Sequence, residues 1–275
     1  MPTYMGPRLT PGIQRLMIIN VVTHVIFLIM LRTGLAPVAE ALLLTPQETL
    51  AGGQLWQPLT YMFIHSPDGP GHLLMNMLML FFFGPQVEQT VGTRKLYTLY
   101  VLSGLGGAAA TLLLSGLGVM LGIGWLASGW TAATLGASGA VYGVLFCWGA
   151  LRWHSSANFF LIGEIPVKYV IYFLVALQVL SMLSFAQGTS YSAHLGGMAA
   201  GFLLGRVGIP SVPWLKTPDI QKMRDQAKQR QDKKRRSRFE VIEGGAENTS
   251  DKDDTAGRPI WLHRPNDDDD DPVIH

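Results

Sequence analysis

One serine in this sequence has the surroundings of a candidate nucleophile. Ser138 lies in a Gly-Ala-Ser-Gly tetrad, residues 136–139, which opens an apolar segment that continues without a charged residue to Trp148. A serine hydroxyl becomes a nucleophile when an adjacent base accepts its proton. Taken alone, a small-x-Ser-Gly sequence in a membrane helix is more often a packing motif. Ser138 is therefore a catalytic candidate only if the sequence also supplies partners.

Histidine suits the role of base, because its unperturbed pKa of about 6.5 lets it accept a proton near neutral pH. His194 lies in a second apolar segment, three residues before Gly197. We predict that His194 is the base for Ser138. The alternative is that this intramembrane histidine only forms a hydrogen bond to a neighbouring helix.

A serine nucleophile also needs donors for the oxyanion that forms on the attacked carbonyl. Ser138, at a helix start, offers its own backbone N–H and the positive end of the helix dipole. His72 and Asn76 are one helical turn apart and share a face. We assign Asn76 as an amide donor to the oxyanion and His72 as a second contributor, with a structural role as the alternative for His72.

No carboxylate is placed to orient His194. Glu88 is the only acidic residue within an apolar span, and it lies twelve residues beyond Asn76, about 18 Å along a helix. We expect Glu88 to have a structural role, in which it holds helix ends or loops together by hydrogen bonds. Tyr142, one turn after Ser138, could fix the imidazole by packing against it. These residues predict a Ser/His dyad without an aspartate.

Two further histidines lie in or beside the first apolar segments. For His24 we expect a hydrogen bond between helices, because no partner motif accompanies it. We interpret His65 as an ordinary polar residue of a loop.

The elements that position these residues are predicted to be membrane helices. The chain has 275 residues, of which 48% are hydrophobic and 15% charged, which is too apolar for an ordinary soluble domain of this size. A helix that crosses a bilayer needs about 20 mostly apolar residues. We predict an all-α membrane protein, a bundle of six transmembrane helices with a polar C-terminal tail. The predicted spans are residues 14–32, 73–92, 96–115, 138–153, 167–185 and 191–208.

Charge placement predicts the topology of this bundle. Residues 1–208 hold only eight of the 21 basic and five of the 19 acidic residues. Most of these basic residues lie at the termini and at the loops on one side of the membrane. The positive-inside rule therefore places both termini in the cytoplasm. We predict a cytoplasmic segment at 1–13, a six-helix domain at 14–208 and a cytoplasmic, largely disordered tail at 209–275. The loop at 33–71 is expected to form short interfacial helices on the outer face, and 116–137 a second apolar outer segment.

Helix rise places the serine and the histidine at similar depth. Ser138 lies fourteen residues before Arg152, about 21 Å at 1.5 Å per residue. His194 lies twelve residues before Arg206, about 18 Å by the same arithmetic. Both side chains are therefore predicted to lie inside the membrane, where they can meet if their helices are neighbours.

Small residues give these two spans faces that can approach closely. Gly139 and Gly143 are four residues apart in the fourth span, and Gly197 and Gly201 repeat the spacing in the sixth. Small-xxx-small faces let helix backbones pack tightly in lipid. We predict that these four glycines are helix-packing residues that bring His194 to Ser138.

At this level the sequence resembles the rhomboid intramembrane serine proteases over residues 14–208. The resemblance is carried by four motifs in order, namely His72-x-x-x-Asn76, Gly84-x-x-x-Glu88-x-x-x-Gly92, Gly136-Ala-Ser138-Gly with Tyr142, and Ala193-His194-x-x-Gly197-x-x-x-Gly201. One departure is visible in the first loop, where Trp56-Gln57 lies near the position of a Trp-Arg pair that is common in that family.

The resemblance implies a six-helix fold with a water-filled cavity open to the outer side. It implies Ser138 as nucleophile, His194 as base, His72 and Asn76 at the oxyanion, and Tyr142 stacked on His194. The expected activity is endoproteolysis of transmembrane protein substrates, locally unwound near the outer boundary of the lipid bilayer, without a metal or organic cofactor.

Two other classes of function are weighed against this one. A catalytically silent rhomboid-like binding factor would have no need for both Ser138 and His194. A transporter would be expected to show paired broken spans in its two halves, and no convincing internal repeat is present. Nucleic acid is not an expected partner, the oligomeric state is left open, and the expected location is a bacterial inner membrane.

Overall fold

The computed structural model describes residues 9–159, 163–183 and 191–211, together with residue 229. Most of the predicted N-terminal segment and nearly all of the predicted tail lie outside the described residues. The helices in chain order are α1 (Pro11–Arg32), α2 (Ala36–Glu40), α3 (Pro46–Leu50), α4 (Gln57–Thr60), α5 (Gly71–Val91), α6 (Thr93–Leu121), α7 (Gly124–Ala127), α8 (Ser138–Leu151), α9 (Val167–Leu183) and α10 (Tyr191–Val207).

Each of the six predicted spans corresponds to one long helix: α1, α5, α6, α8, α9 or α10. Within the described part of the chain, two helices, α1 and α6, are by length and composition long and apolar enough to cross a membrane. The apolar helices α8 and α9 are shorter. The helical character of the fold therefore follows the prediction, while the number of helices that cross the bilayer stays a prediction.

The third long helix, α6, is longer than predicted. It continues to Leu121, whereas the sequence pattern predicted an end at residue 115. The helix ends where Gly122 adopts φ 67°, a left-handed conformation that glycine adopts without steric cost. The predicted outer segment at 116–137 is thus wrong in its first six residues, and the loop begins after Leu121.

The connection between α1 and α5 forms the short helices that were expected there. Proline in the first turn of α2, α3 and α4 favours the start of each helix, because it fixes φ and lacks the N–H that would be unpaired. A 3₁₀ turn, Tyr61–Phe63, follows α4. Gln57, 1% exposed, accepts hydrogen bonds from the N–H of Thr45 at 2.9 Å and the hydroxyl of Thr49 at 2.7 Å. Gln57 therefore ties α3 to α4.

A two-stranded antiparallel sheet joins α8 to α9 and corrects the all-α prediction. Its strands are β1 (Ser156–Phe159) and β2 (Gly163–Pro166), and Ser156 pairs with Pro166. Gly163 starts the returning strand with φ 88°, which a residue with a side chain rarely adopts. The apolar run of residues 159–162 is too short to distinguish a strand from a helix, and for this reason the sheet was not predicted.

Helix α8 occupies the centre of the described domain. Eleven of its 14 residues are buried, and it packs against α5, α6 and α10. A helix that is apolar on all sides is stable only when it is enclosed by other helices or lipid. Ser138, as the first residue of α8, is therefore held inside the protein.

Helices α8 and α10 pack backbone against backbone. A Cβ added to Gly197 would overlap the carbonyl oxygen of Gly139, and one added to Gly201 would overlap that of Gly143. Gly143 also faces the Ser103 side chain of α6. The four glycines predicted to serve packing thus lie at one tight helix contact.

Glu88 lies in α5 and holds the start of α1. Its carboxylate accepts hydrogen bonds from the backbone N–H groups of Gly12 at 2.9 Å and Ile13 at 3.0 Å, and from the Thr93 hydroxyl at 2.7 Å. The hydroxyl of Thr10 also donates to it. The first N–H groups of a helix have no partner within the helix. A buried carboxylate at this point accepts their hydrogen bonds, and they in turn stabilise its negative charge. These contacts join the start of α1 to α5, and the structural role of Glu88 stays a prediction.

Candidate active site

The chain turns sharply just before Ser138. Gly136 has φ 127°, and its N–H donates to the carbonyl of Tyr61 at 3.1 Å. A Cβ on Gly136 would lie 2.8 Å from Cε1 of His72. Glycine is therefore required at 136 both for the backbone conformation and for the approach of the His72 ring.

His194, from α10, meets the hydroxyl of Ser138. The distance from Nε2 of His194 to Oγ of Ser138 is 2.7 Å. A neutral imidazole with its lone pair on Nε2 can accept the hydroxyl proton at this distance. The structure therefore places the predicted nucleophile and base within one hydrogen bond of each other.

Tyr142, the residue predicted to orient His194, lies against its imidazole. The ring centroids of Tyr142 and His194 are 4.8 Å apart, and the two planes are inclined by 50°. The contact is tilted rather than parallel, which is an ordinary geometry for aromatic pairs. A ring in this position can restrict the rotation of the imidazole from one side, and the orienting role of Tyr142 stays a prediction.

The structure adds a residue that the sequence analysis missed. Gln178, from α9, places Oε1 2.9 Å from Nδ1 of His194 and donates from Nε2 to the Tyr142 hydroxyl at 3.0 Å. Gln178 is the one amide in the apolar run Val167–Leu183, and a lone amide in such a run was the available signal. Among the described residues, the side chain that contacts Nδ1 of His194 is this amide and not a carboxylate.

His72 and Asn76, from α5, lie on the other side of the serine. Nδ1 of His72 accepts the N–H of Ser66 at 3.3 Å, which leaves its proton on Nε2. One hydrogen of the Asn76 amide is donated to the carbonyl of His72 at 2.9 Å, and the second remains for another acceptor. Both side chains, together with the first N–H of α8, can act as donors to a developing oxyanion.

These side chains surround a cavity of about 580 Å³. It is lined by Ser66, His72, Met75, Asn76, Met79, Ala133, Leu135, Ser138, Val141, Tyr142 and His194. The polar groups lie together, and methionine and aliphatic side chains form the rest of the wall. A cavity of this kind can hold an extended segment of a substrate chain, with one carbonyl directed at the polar groups.

His65 is not the ordinary loop residue that the sequence analysis assumed. Its side chain is fully buried, and neither ring nitrogen has a hydrogen-bond partner among the described residues. The ring lies 5.3 Å from that of His72 and 5.7 Å from that of His24. Burial, followed by the charges of His72 and His24, lowers the pKa of His65 to about 3. His65 is therefore a neutral packing partner of His72.

The hydrogen bond expected for His24 does not form at its Nδ1, which has no partner in the described part of the chain.

A model of a known protein family matches this chain. The family model described as Rhomboid domain matches residues 52–211, more than half of the chain. The chain belongs to the rhomboid family. Rhomboid membership makes it an integral membrane protein, and the matched residues include Asn76, Ser138 and His194.

Curated rhomboid relatives come from plants, yeast and bacteria. RHOMBOID-like protein 4 of Arabidopsis thaliana is 33% identical over 171 residues, which cover 62% of this chain and 38% of the relative. Rhomboid protein 1, mitochondrial, of Saccharomyces cerevisiae is 32% identical over 136 residues, or 49% of this chain and 37% of the relative. The Bacillus subtilis protein named "Putative rhomboid protease YdcA" is 28% identical over 155 residues, or 56% and 68%. The match thus covers less than half the length of RHOMBOID-like protein 4 and of the yeast protein.

Proposed function

We propose that this rhomboid-family protein is an intramembrane serine endopeptidase. It hydrolyses peptide bonds in or near transmembrane segments of other membrane proteins through a dyad of Ser138 and His194. The observation that carries the proposal is the 2.7 Å separation of Ser138 Oγ and His194 Nε2 at the wall of a cavity. The protease designation in the name of the bacterial relative supports it.

In the first half of the reaction, Oγ of Ser138 attacks the carbonyl carbon of the scissile bond while Nε2 of His194 takes the hydroxyl proton. A tetrahedral intermediate forms, and its oxyanion receives hydrogen bonds from Asn76, His72 and the N–H of Ser138. The C–N bond then breaks, His194 gives its proton to the leaving amine, and an ester links the substrate to Ser138.

In the second half, water replaces the amine. His194 takes a proton from the water as its oxygen attacks the ester carbonyl, and a second tetrahedral intermediate uses the same oxyanion donors. The C–O bond to Ser138 breaks, and the proton on His194 returns to Oγ. The products are a carboxylic acid, an amine and the unchanged dyad.

Six spans with both termini in the cytoplasm are part of the proposal. The basic residues Arg94, Lys95, Arg152 and Lys168 would then lie on the inner side. The test labels single introduced cysteines with a membrane-impermeant maleimide in intact cells. Gly34→Cys and His154→Cys are at exposed positions, and the native Cys147 is buried. We expect labelling of Gly34→Cys alone before the membrane is broken; labelling of His154→Cys alone reverses the proposed orientation.

The proposed activity is tested by comparing the wild type with Ser138→Ala and His194→Ala in native membranes. We expect a fluorophosphonate probe to label the wild type, and a transmembrane reporter substrate to be cleaved by the wild type only. The alternative, a catalytically silent rhomboid-like binding factor, predicts retained binding of the reporter with no cleavage in any of the three. Equal cleavage by the wild type and Ser138→Ala would refute the assigned nucleophile.

A further inference from the structure

We propose that Gln178 is a positioning residue that sets the tautomer and orientation of His194; this inference rests on the proposed function. A dyad histidine can serve as base only if its lone pair, rather than its N–H, faces the serine. Nδ1 of His194 lies 2.9 Å from Oε1 of Gln178. Because an amide oxygen has no proton to give, Nδ1 must carry the proton, and the lone pair is left on Nε2, which faces Ser138.

A second contact engages the other end of the Gln178 amide. Nε2 of Gln178 donates to the Tyr142 hydroxyl at 3.0 Å, and the Tyr142 ring also lies against His194. Gln178 therefore bridges the two residues that touch the imidazole. The oxygen end of its amide is held toward His194, while the nitrogen end is held by Tyr142.

The burial of Gln178 favours a role in hydrogen bonding within the site over a role in general helix packing. Its side chain is 8% exposed, whereas Tyr172, Phe173 and Leu180 on the same helix are 55%, 61% and 64% exposed. A buried amide in an apolar environment is costly unless its hydrogen bonds are made. Gln178 makes both bonds within the site, so α9 contributes a polar group to the dyad as well as apolar packing.

The amide of Gln178 acts on His194 more weakly than a carboxylate would. When His194 accepts the Ser138 proton, its Nδ1–H stays bonded to a neutral oxygen, which stabilises the imidazolium less than a carboxylate would. Among the described residues, the titratable groups that face His194 are Tyr142 at its ring and His72 across the cavity. A charge placed at 178 would therefore act on His194 without competition from another acid.

The test compares Gln178→Met and Gln178→Glu in the full-length protein, with Leu180→Met as a control for methionine at an exposed position of α9. Methionine has a similar length and accepts no useful hydrogen bond from Nδ1. We expect Gln178→Met to lower kcat by about 10- to 100-fold with little change in KM, since the dyad and oxyanion donors remain. Leu180→Met should behave as the wild type.

Gln178→Glu keeps a side-chain oxygen that can accept a hydrogen bond from Nδ1 of His194, and it adds a negative charge. We expect it to recover most of the kcat lost in Gln178→Met, and to move the acid limb of the kcat/KM profile to higher pH by about one unit. A carboxylate at 178 that did not face Nδ1 of His194 would not move that limb. The inference is overturned if Gln178→Met keeps the wild-type kcat, or if both variants lose the same factor in kcat. It is also overturned if the acid limb of the kcat/KM profile does not move in Gln178→Glu. Cleavage that survives Ser138→Ala would instead refute the proposed function, so the two failures are distinguishable.

Discussion

The backbone carbonyl of Gly139 in α8 occupies the space that a side chain on Gly197 in α10 would need. Gly139 directly follows Ser138, and Gly197 follows His194 by one helical turn. The approach of the two backbones therefore determines how far the serine hydroxyl lies from the imidazole. In a bilayer this contact is stabilised by dispersion and close fit, because burial from water does not drive helices together there.

Gly197→Ala should separate the two helices. The added Cβ meets a backbone oxygen, which cannot rotate away, so we expect a loss of about 3 kcal/mol in stability. A displacement of about 1 Å between the two reacting groups should also lower kcat about 100-fold. Unfolding in detergent micelles and reporter cleavage measure the two effects.

The matched control for this substitution is Gly116→Ala in α6. Within the described part of the chain, a Cβ at 116 would meet the Trp130 ring alone, at 3.9 Å, which is an ordinary contact. We expect unchanged activity and a gain of up to about 1 kcal/mol from helix propensity. If Gly197→Ala were as stable and active as Gly116→Ala, the close contact would not control the dyad.

Much of this site could be predicted from the sequence, because membrane helices convert residue number into depth. Ser138 and His194 were matched by counting residues to the basic residues at the inner ends of their helices, and the glycine spacing indicated which helices meet. His72 and Asn76 followed from a shared helix face. These inferences need only helix rise, helix period and the apolar pattern.

The remaining features depend on contacts that no local pattern specifies. Gln178 was passed over because the rotation of α9 relative to α10 decides whether its amide faces the site or the lipid. His65 lies in a loop, and loop burial depends on the path of the whole connection rather than on its composition. The sequence stays apolar beyond residue 115, so its pattern does not mark the end of α6. The helix ends at Leu121 because Gly122 adopts a left-handed conformation.

Glu88→Gln should weaken the junction of α1 and α5. The carboxylate accepts hydrogen bonds from two backbone N–H groups and two hydroxyls, and a glutamine would direct an NH₂ group at some of these donors. We expect a loss of about 3 kcal/mol in the free energy of unfolding, because hydrogen bonds to a charged acceptor are lost and donors are left unpaired.

Glu48→Gln is the control for that experiment. Glu48 accepts a hydrogen bond from Gln54 at an exposed position, at 3.3 Å. We expect a change in unfolding free energy below about 0.5 kcal/mol. An equally small change for Glu88→Gln would mean that the carboxylate contributes nothing to the start of α1.

Acid should destabilise the protein partly through His65. Burial lowers its pKa from 6.5 to about 3 in the folded protein, so between these values the unfolded chain binds a proton that the folded chain does not. Stability is then fully present above pH 6.5 and falls as the pH is lowered, by about 2 kcal/mol at pH 5 from this group. His24 and His72 face the ring and carry no negative charge to offset this effect.

The measurement is the unfolding free energy of His65→Gln and the wild type at pH 7.5 and pH 5. We expect the pH-dependent loss to be smaller in His65→Gln by about 2 kcal/mol. His154→Gln removes an imidazole from an exposed loop position and should keep the wild-type pH dependence. Identical pH dependence in all three proteins would contradict the assignment to His65.

The oxyanion assignment predicts different consequences for two asparagines. Asn76 lines the cavity beside Ser138, so Asn76→Ala removes a donor that acts when charge develops on the substrate. We expect kcat to fall by about 10²- to 10³-fold, with a small change in KM. Asn20 instead donates to the Tyr100 hydroxyl at 3.0 Å between α1 and α6, so Asn20→Ala should lower stability and leave kcat of the folded protein unchanged. Both variants lose one buried amide, so they differ only in whether that amide faces the cavity. If Asn20→Ala lowered kcat as strongly as Asn76→Ala does, the fall would come from lost packing, and Asn76 would not be an oxyanion donor.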